Sequence, residues 1–271
     1  MCVWAKVISR LILATAFAAP IYAHAQIPCA ADRIDEQVRV SLAYDGDTVT
    51  LSDGRRVRLI GIDTPELGRD GRPHQPGALA ARDRLRQLLF SHRQRLDLRF
   101  DAARQDKYGR LLAHAFFGDG SNLVQQLLAE GAGAQLVIPP NTWQAGCYQQ
   151  AVRSARQQHR GVWALAAYQP TPVERLTLRD EGLRIVSGRV SHLSNSASAV
   201  WINLVGNVAL RIERQDLPEF RNVDLDALAG NTLEAQGWLY ARSGQLRMRV
   251  RHPAALNILG RAPATATGPL K

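Results

Sequence analysis

Between residues 37 and 42 the chain alternates, with Val38, Val40 and Leu42 set among polar neighbours, the period-two pattern of a half-buried strand. The Asp45-Gly46-Asp47 step interrupts it. Residues 48–51 resume the alternation, Ser52-Asp53-Gly54 reads as a hairpin turn, and residues 55–62 return as a third strand. On that strand Val57, Leu59 and Gly61 are expected on one face and Arg56, Arg58, Ile60 and Ile62 on the other. Asp63-Thr64-Pro65-Glu66 then leaves the sheet, because proline donates no ladder bond and restricts the residue before it. Residues 67–76, rich in glycine, proline, arginine and histidine, form a loop. The period changes to a helical one over 77–91, where Ala81, Leu85, Leu88 and Leu89 share a face. Leu96, Leu98 and Phe100 mark a fourth strand and residues 111–117 a fifth. Ser121 or Asn122 caps a helix over 123–130, which Gly131 ends. Ile138-Pro139-Pro140 is an obligate loop, and a last helix over 144–158 closes at Gly161-Val162-Trp163.

Five strands with three helices, one of them inserted after the third strand, predict a mainly β protein with α elements, a five-stranded barrel of OB type. Alternation returns further on, at Leu183 and Ile185, at Val200, Ile202 and Leu204, at Leu233 and Ala235, and at Leu246, Met248 and Val250. These short strands predict a second small OB-like β-barrel. The expected organisation is a leader at 1–25, a first domain at 26–165, a linker at 166–181 carrying Pro170 and Pro172, a second domain at 182–260 and a flexible tail at 261–271. No catalytic constellation is visible in the second domain. Arg247, Arg249 and Arg251 fall on one face of its last strand near Arg242, readable either as a polyanion surface or as an ordinary solvated face.

Lys6 and Arg10, an apolar run over 11–19 and Ala23-His24-Ala25 have the layout of a secretory signal peptide, with the mature chain starting at Gln26. The run falls short of the roughly 20 residues that span a bilayer. A soluble exported protein, periplasmic or extracellular, is expected. Cys2 leaves with the leader, so the mature chain keeps Cys29 and Cys147, either a disulfide in an oxidising compartment or two free thiols. The formal net charge is +10 over 271 residues, and +8 without Lys6 and Arg10. Its positive side is almost all arginine, whose planar fork matches phosphate. A polyanionic partner, nucleic acid first, fits that balance, as does a plain arginine bias in coding.

The densest chemistry lies in DGDTVTLSDGRRVRLIGIDTPE over residues 45–66, echoed by DKYGR at 106–110 and closed by RGVW at 160–163. In this order and at these separations the motifs resemble the thermonuclease family typified by staphylococcal nuclease, over roughly residues 38–163. On residue chemistry, Asp47, Asp63 and the backbone carbonyl of Thr64 are hard oxygen donors that could hold one Ca²⁺ and leave positions open for a phosphate oxygen. Isolated aspartates in such places would instead be turn formers. Arg58 and Arg110 can flank a phosphodiester through forked donors, or form surface ion pairs. The resemblance implies that Glu66 activates or orients the attacking water, that Lys107 and Tyr108 meet a terminal phosphate, and that Asp45 stands behind the metal. It also implies hydrolysis of DNA and RNA to 3′-phosphate ends. The pattern departs from the family before the proline loop, where Gln135, Leu136 and Val137 replace base-stacking tyrosines, with Trp143 as a substitute platform or a core residue. A monomeric Ca²⁺-dependent nuclease is the leading expectation. A catalytically inactive nucleic-acid-binding module is the alternative, and a second barrel that docks to surface polymer is a third reading.

Overall fold

The computed structural model describes residues 29–260. The expected leader and tail lie outside them. No helix among the described residues is long and apolar enough to cross a membrane.

The first unit comprises β1 (Glu36–Ala43), β2 (Thr48–Leu51), β3 (Arg56–Leu59), β4 (Gly61–Asp63), α1 (Ala78–Ser91), β5 (Arg95–Gln105), β6 (Leu111–Phe116), α2 (Leu123–Ala129), β7 (Ala134–Leu136) and α3 (Ala145–Gln157). A closed barrel runs in the order β1-β2-β3-β6-β5, with β3 and β6 parallel and the other pairs antiparallel. Its interior is filled by alternate residues such as Val49, Leu51, Val57, Leu59, Leu96 and Leu98, and α1 closes it with buried Leu85, Leu88 and Leu89. Asn122 caps α2 by accepting the amide of Gln125 at 2.9 Å.

The third strand is shorter than its alternation predicts. It stops at Leu59, and Gly61, at φ +97°, redirects the chain into β4, which pairs with β7 outside the barrel. The break resets the faces, so Ile62, expected opposite Leu59, is fully buried in the same core. The ring of Tyr148 on α3 packs where a Gly61 side chain would stand, 2.4 Å from the site of its missing Cβ.

The second unit contains β8 (Thr171–Pro172), β9 (Gly182–Asn195), β10 (Ala199–Leu204), β11 (Val208–Glu213), β12 (Thr232–Arg242), β13 (Gln245–Arg249) and β14 (Leu256–Gly260), with short 3₁₀ turns between β11 and β12. Pairing of β12 with β9 closes a barrel in the order β9-β10-β11-β13-β12, again with its third and fifth strands parallel. This is the connectivity of the first barrel repeated.

Two expectations about this half change. The segment read as a linker is packed rather than free: Tyr168 joins Trp163 and Ile185 in a small core shared by the two units, and Val173 enters the second barrel. The arginine face is not open either. Arg249 and Arg251 converge on the buried Asp216, with Arg249 also paired to Glu213, and Arg251 reaches the carbonyl of Pro139 in the first unit. The strand they were assigned to is followed by β14 and is not the last.

Cys29 and Cys147 are joined by a disulfide with Cα atoms 5.7 Å apart, tying the N-terminal arm to α3. Nearby lies a buried polar group. His114 receives or donates through Nδ1 to the Tyr148 hydroxyl at 2.9 Å, while its Nε2 stands 3.7 Å from Asp101 without a hydrogen bond. Trp143 packs edge-on against His114 and lies under the guanidinium of Arg99, so it is part of this cluster and not an open platform.

Replacing both cysteines by serine is expected to lower the unfolding free energy by up to about 4–5 kcal/mol, the chain-entropy figure for a loop of this length; an unchanged urea midpoint would contradict it. Burial holds His114 below its ordinary value, so the folded imidazole stays neutral where the unfolded one takes a proton. Stability due to this group is therefore complete above pH 6.5 and falls on acidification, by at most about 1.4 kcal/mol per pH unit. Asp101 pays a burial penalty, but the His114 ring and the amides of Trp143 and Ala102 bring it to about 2, so it stays ionised in that window. The slope between pH 6.5 and 5 should be shallower in His114→Gln than in the parent, compared by urea unfolding; parallel slopes would count against this assignment.

Candidate active site

The site forms where β1 turns into β2 and where β3 breaks. In the 45–47 step, Asp45 Oδ1 accepts the amide of Asp47 at 3.0 Å, a local turn that aims Asp47 across the barrel rim. Asp47 Oδ2 accepts both the amide and the hydroxyl of Thr64, at 2.8 and 3.0 Å, which fastens the segment after β4 to the end of β1. Gly46 is needed by close approach: a Cβ there would stand 2.7 Å from the Thr64 hydroxyl and 2.8 Å from Ala81 on α1.

Arg58 lies between these segments. Its Nε faces Asp47 Oδ1 at 3.1 Å, Nη2 donates to Asp63 Oδ1 at 2.9 Å, and Nη1 donates to the carbonyls of Leu59 and Ile62 at 2.8 and 2.6 Å. Burial works against its charge, but Asp47 and Asp63 outweigh that and raise its affinity for the proton. Four carboxylates, Asp45, Asp47, Asp63 and Glu66, surround this one guanidinium. Burial first, then the charges of Asp47 and Glu66, push Asp45 up to about 6; burial, then Asp47, Glu66 and Asp45 acting against the attraction of Arg58, do the same to Asp63. Such an excess of negative charge in a poorly hydrated rim suits a hard divalent cation. Among the described residues no three histidine, cysteine or acidic side chains already converge as a cage. The donors on offer are the two aspartates with the neighbouring backbone and water.

Glu66 is exposed, on a loop braced by Gln75, which accepts the Glu66 amide at 2.9 Å and donates its own amide to the Glu66 carbonyl at 3.0 Å. It opens on a cleft of about 340 Å³ lined also by Arg69 and Arg72. The sequence reading passed over these two arginines because they sit in an irregular loop where no periodicity or motif singles them out. Arg69 also lies over the ring of Tyr44, 4.6 Å from its centre, beside Asp45.

The DKYGR turn is organised by Asp106, which accepts the amides of Tyr108 and Arg110 and pairs with Arg110 Nε at 2.7 Å. Arg110 stands two residues before Leu112, the residue opposite Arg58 across the parallel β3–β6 pair. It is not in hydrogen-bond contact with the acidic cluster; its Nη atoms have no hydrogen-bond partner among the described residues, and its guanidinium lies 5.8 Å from the centre of the Tyr108 ring. Lys107 and Tyr108 sit at the tip of this turn, with Tyr108 72 % exposed. Thus Asp45, Asp47, Arg58, Asp63 and Thr64 form one bonded group, Glu66 lies on the loop that follows it, and Lys107, Tyr108 and Arg110 belong to the β5–β6 turn. The stretch at Gln135 is no base platform: Gln135 is buried and donates to the Ala145 carbonyl at 2.6 Å.

A five-stranded OB barrel with arginine and carboxylates gathered at its rim defines a class, the nuclease-type hydrolases. The particular family follows from comparison with known proteins. The model of the staphylococcal nuclease homologues matches residues 56–165. The thermonuclease of Staphylococcus intermedius is 37 % identical over 131 residues, 47 % of this chain and 76 % of that protein. Endonuclease YncB of Bacillus subtilis is 34 % identical over 136 residues, 48 % of this chain and 63 % of its own length. An uncharacterised endonuclease of Escherichia coli O157:H7 is 31 % identical over 129 residues, covering 46 % of this chain and 76 % of that protein. The chain belongs to the staphylococcal nuclease family, and more than half of it lies outside the matched region.

Asp45→Asn keeps the oxygen that accepts the Asp47 amide and removes one of the crowded charges. It should stabilise the metal-free protein by roughly 1–3 kcal/mol, the worth of a shift of this size in a buried group. A melting temperature equal to or below that of the parent in chelator would refute the repulsion argued for this rim.

Proposed function

We propose that the chain is an exported, Ca²⁺-dependent nuclease that hydrolyses phosphodiester bonds of DNA and RNA by in-line attack of water and leaves 3′-phosphate ends. The observation that carries this reading is the crowding of four carboxylates around Arg58 at the barrel rim. Family membership supports hydrolysis of nucleic acid, and the names of the relatives, thermonuclease and endonuclease, agree with it. The leader-like start of the sequence and the Cys29–Cys147 bridge support export to an oxidising compartment.

In this reading Asp47, Asp63 and the Thr64 carbonyl would hold the cation, which when bound would supply Lewis-acid neutralisation of a phosphate oxygen. Three of the five N–H groups of Arg58 donate to protein acceptors, and its Nε stands 3.1 Å from Asp47 Oδ1 as an ion pair. Arg58, now paired with Asp47 and Asp63, would turn its fork of donors toward phosphate oxygens of the substrate. Arg110, with both Nη groups unengaged among the described residues, approaches from the β5–β6 turn, and Lys107 and Tyr108 extend that side toward a terminal phosphate. Glu66 is in the open and held by its backbone to Gln75. It takes the proton of the attacking water or orients that water for in-line approach. Asp45 orients Asp47 through its amide and adds negative charge behind it.

The test is cleavage of single- and double-stranded DNA and of RNA by the purified protein, with Ca²⁺ and with chelator. Cleavage is expected only with the metal, lost in Asp47→Ala and Glu66→Ala, and reduced about 10²–10³-fold in Arg110→Ala, the usual cost of one preorganised donor. Absence of cleavage under any divalent metal, with salt-sensitive DNA binding intact, would overturn the enzyme in favour of a binding module.

A further inference from the structure

A second binding feature lies on the far side of the Glu66 loop. Where the two barrels meet, a cleft of about 290 Å³ is lined by Gln75 and Pro76 of that loop, by Tyr168, and by Arg184 and Trp238 of the second barrel. Gln75 is the residue that braces Glu66, so the cleft begins one hydrogen bond from it. Tyr168 connects it to the acids from behind: burial, then the charges of Asp63 and Asp47, raise its hydroxyl, which places the ring within their field.

Trp238 is the exceptional residue. It stands on β12 opposite Leu183 and is 64 % exposed, whereas Trp163 is buried in the core between the units and Trp143 and Trp201 are partly covered. A tryptophan this open contributes little to the packing of its barrel. Its neighbour in the cleft, Arg184, donates through Nη1 only to the adjacent Leu183 carbonyl among the described residues, which leaves Nη2 and Nε for a phosphate or a base edge. An aromatic face beside a guanidinium, in a cleft that shares Gln75 with the one on which Glu66 opens, is a combination that binds single-stranded nucleic acid, where stacking is tolerant of base identity.

We propose that Trp238 and Arg184 form a distal subsite for the substrate strand, in which a nucleobase beyond the bond being cleaved stacks on Trp238. This rests on the reading of the chain as acting on nucleic acid. It gives the second barrel a role in substrate binding, and it offers a stacking surface in place of the one missing at Gln135, Leu136 and Val137. The barrels are held in register for this by the shared core of Trp163, Tyr168 and Ile185 and by the ion pair of Arg156 with Glu234 at 2.8 Å.

The test uses the full chain in two assays. Binding of a fluorescently labelled single-stranded oligonucleotide is measured by anisotropy in chelator, and cleavage is measured with Ca²⁺ on the same oligonucleotide and on a dinucleotide too short to reach the cleft. Trp238→Ala should weaken oligonucleotide binding about 5- to 100-fold, the range for loss of one stacked base. It should raise KM on the oligonucleotide by a similar factor, leave kcat unchanged and leave the dinucleotide unaffected. Trp238→Phe should restore most of the loss, and circular dichroism of each variant should match the parent, as expected for an exposed position. Oligonucleotide binding by Trp238→Ala equal to that of the parent would overturn the subsite; a concomitant change in sedimentation would then assign the tryptophan to a contact between copies of the chain. Should the parent bind but not cleave, a loss of binding in Trp238→Ala still supports the subsite, while the nuclease reading alone fails.

Discussion

The site depends on one buried cation, the guanidinium of Arg58. Taking such a charge out of water costs several kcal/mol unless its donors are met, and here they are met by acceptors from three separate places. Asp47 comes from the step between β1 and β2, the carbonyls of Leu59 and Ile62 come from either side of the strand break, and Asp63 comes from β4. Arg58 therefore fixes the geometry of a break that hydrophobic packing alone would not determine. Asp47 in turn gathers Thr64, and Thr64 leads through Pro65 to Glu66. The order of dependence runs from one charge to two carboxylates to the loop that carries the third.

That dependence explains which parts of the molecule were legible in the sequence. The first two strands, α1 and its buried face, the cap at Asn122 and the motif residues could be read because alternation, helical period and turn chemistry are local signals. The break after Leu59 could not, because periodicity continues through Ile60 and Ile62 while the backbone at Gly61 turns to positive φ. The short strand β7 was missed for a related reason: three residues carry no period, and its partner β4 lies about seventy positions earlier. Arg249 and Arg251, expected with Arg247 on one face of the last strand, share a partner instead, Asp216, which comes from a 3₁₀ turn between β11 and β12, and Arg251 lies beyond the end of β13. Partners of this kind are set by topology, and alternation cannot name them.

The two barrels share their connectivity and treat charge in opposite ways. In the second barrel the buried Asp216 is matched by Arg249 and Arg251, and Glu213 by Arg249 and Arg211, so negative charge there is answered by the protein itself. At the rim of the first barrel four carboxylates meet one arginine, and two of them are driven toward protonation by burial and by each other. A balanced set of charges needs no ligand to be stable. An unbalanced set stores a preference for a cation, and proteins keep such costs where they are used.

The second barrel also bears on the first one's electrostatics. Tyr168, in the segment that leads between them, is buried against Trp163 and Ile185, and it lies close enough to Asp63 and Asp47 for their charges to act on its hydroxyl. Packing the second barrel at this point sets a buried tyrosine within the field of the acidic cluster. Desolvation is the largest cause of the raised affinity of Asp63 for a proton, and the charges of Asp63 and Asp47 reach into the core that the two barrels share. The strength with which the rim attracts a cation is thus a property of both barrels, although every residue that would touch the cation belongs to the first.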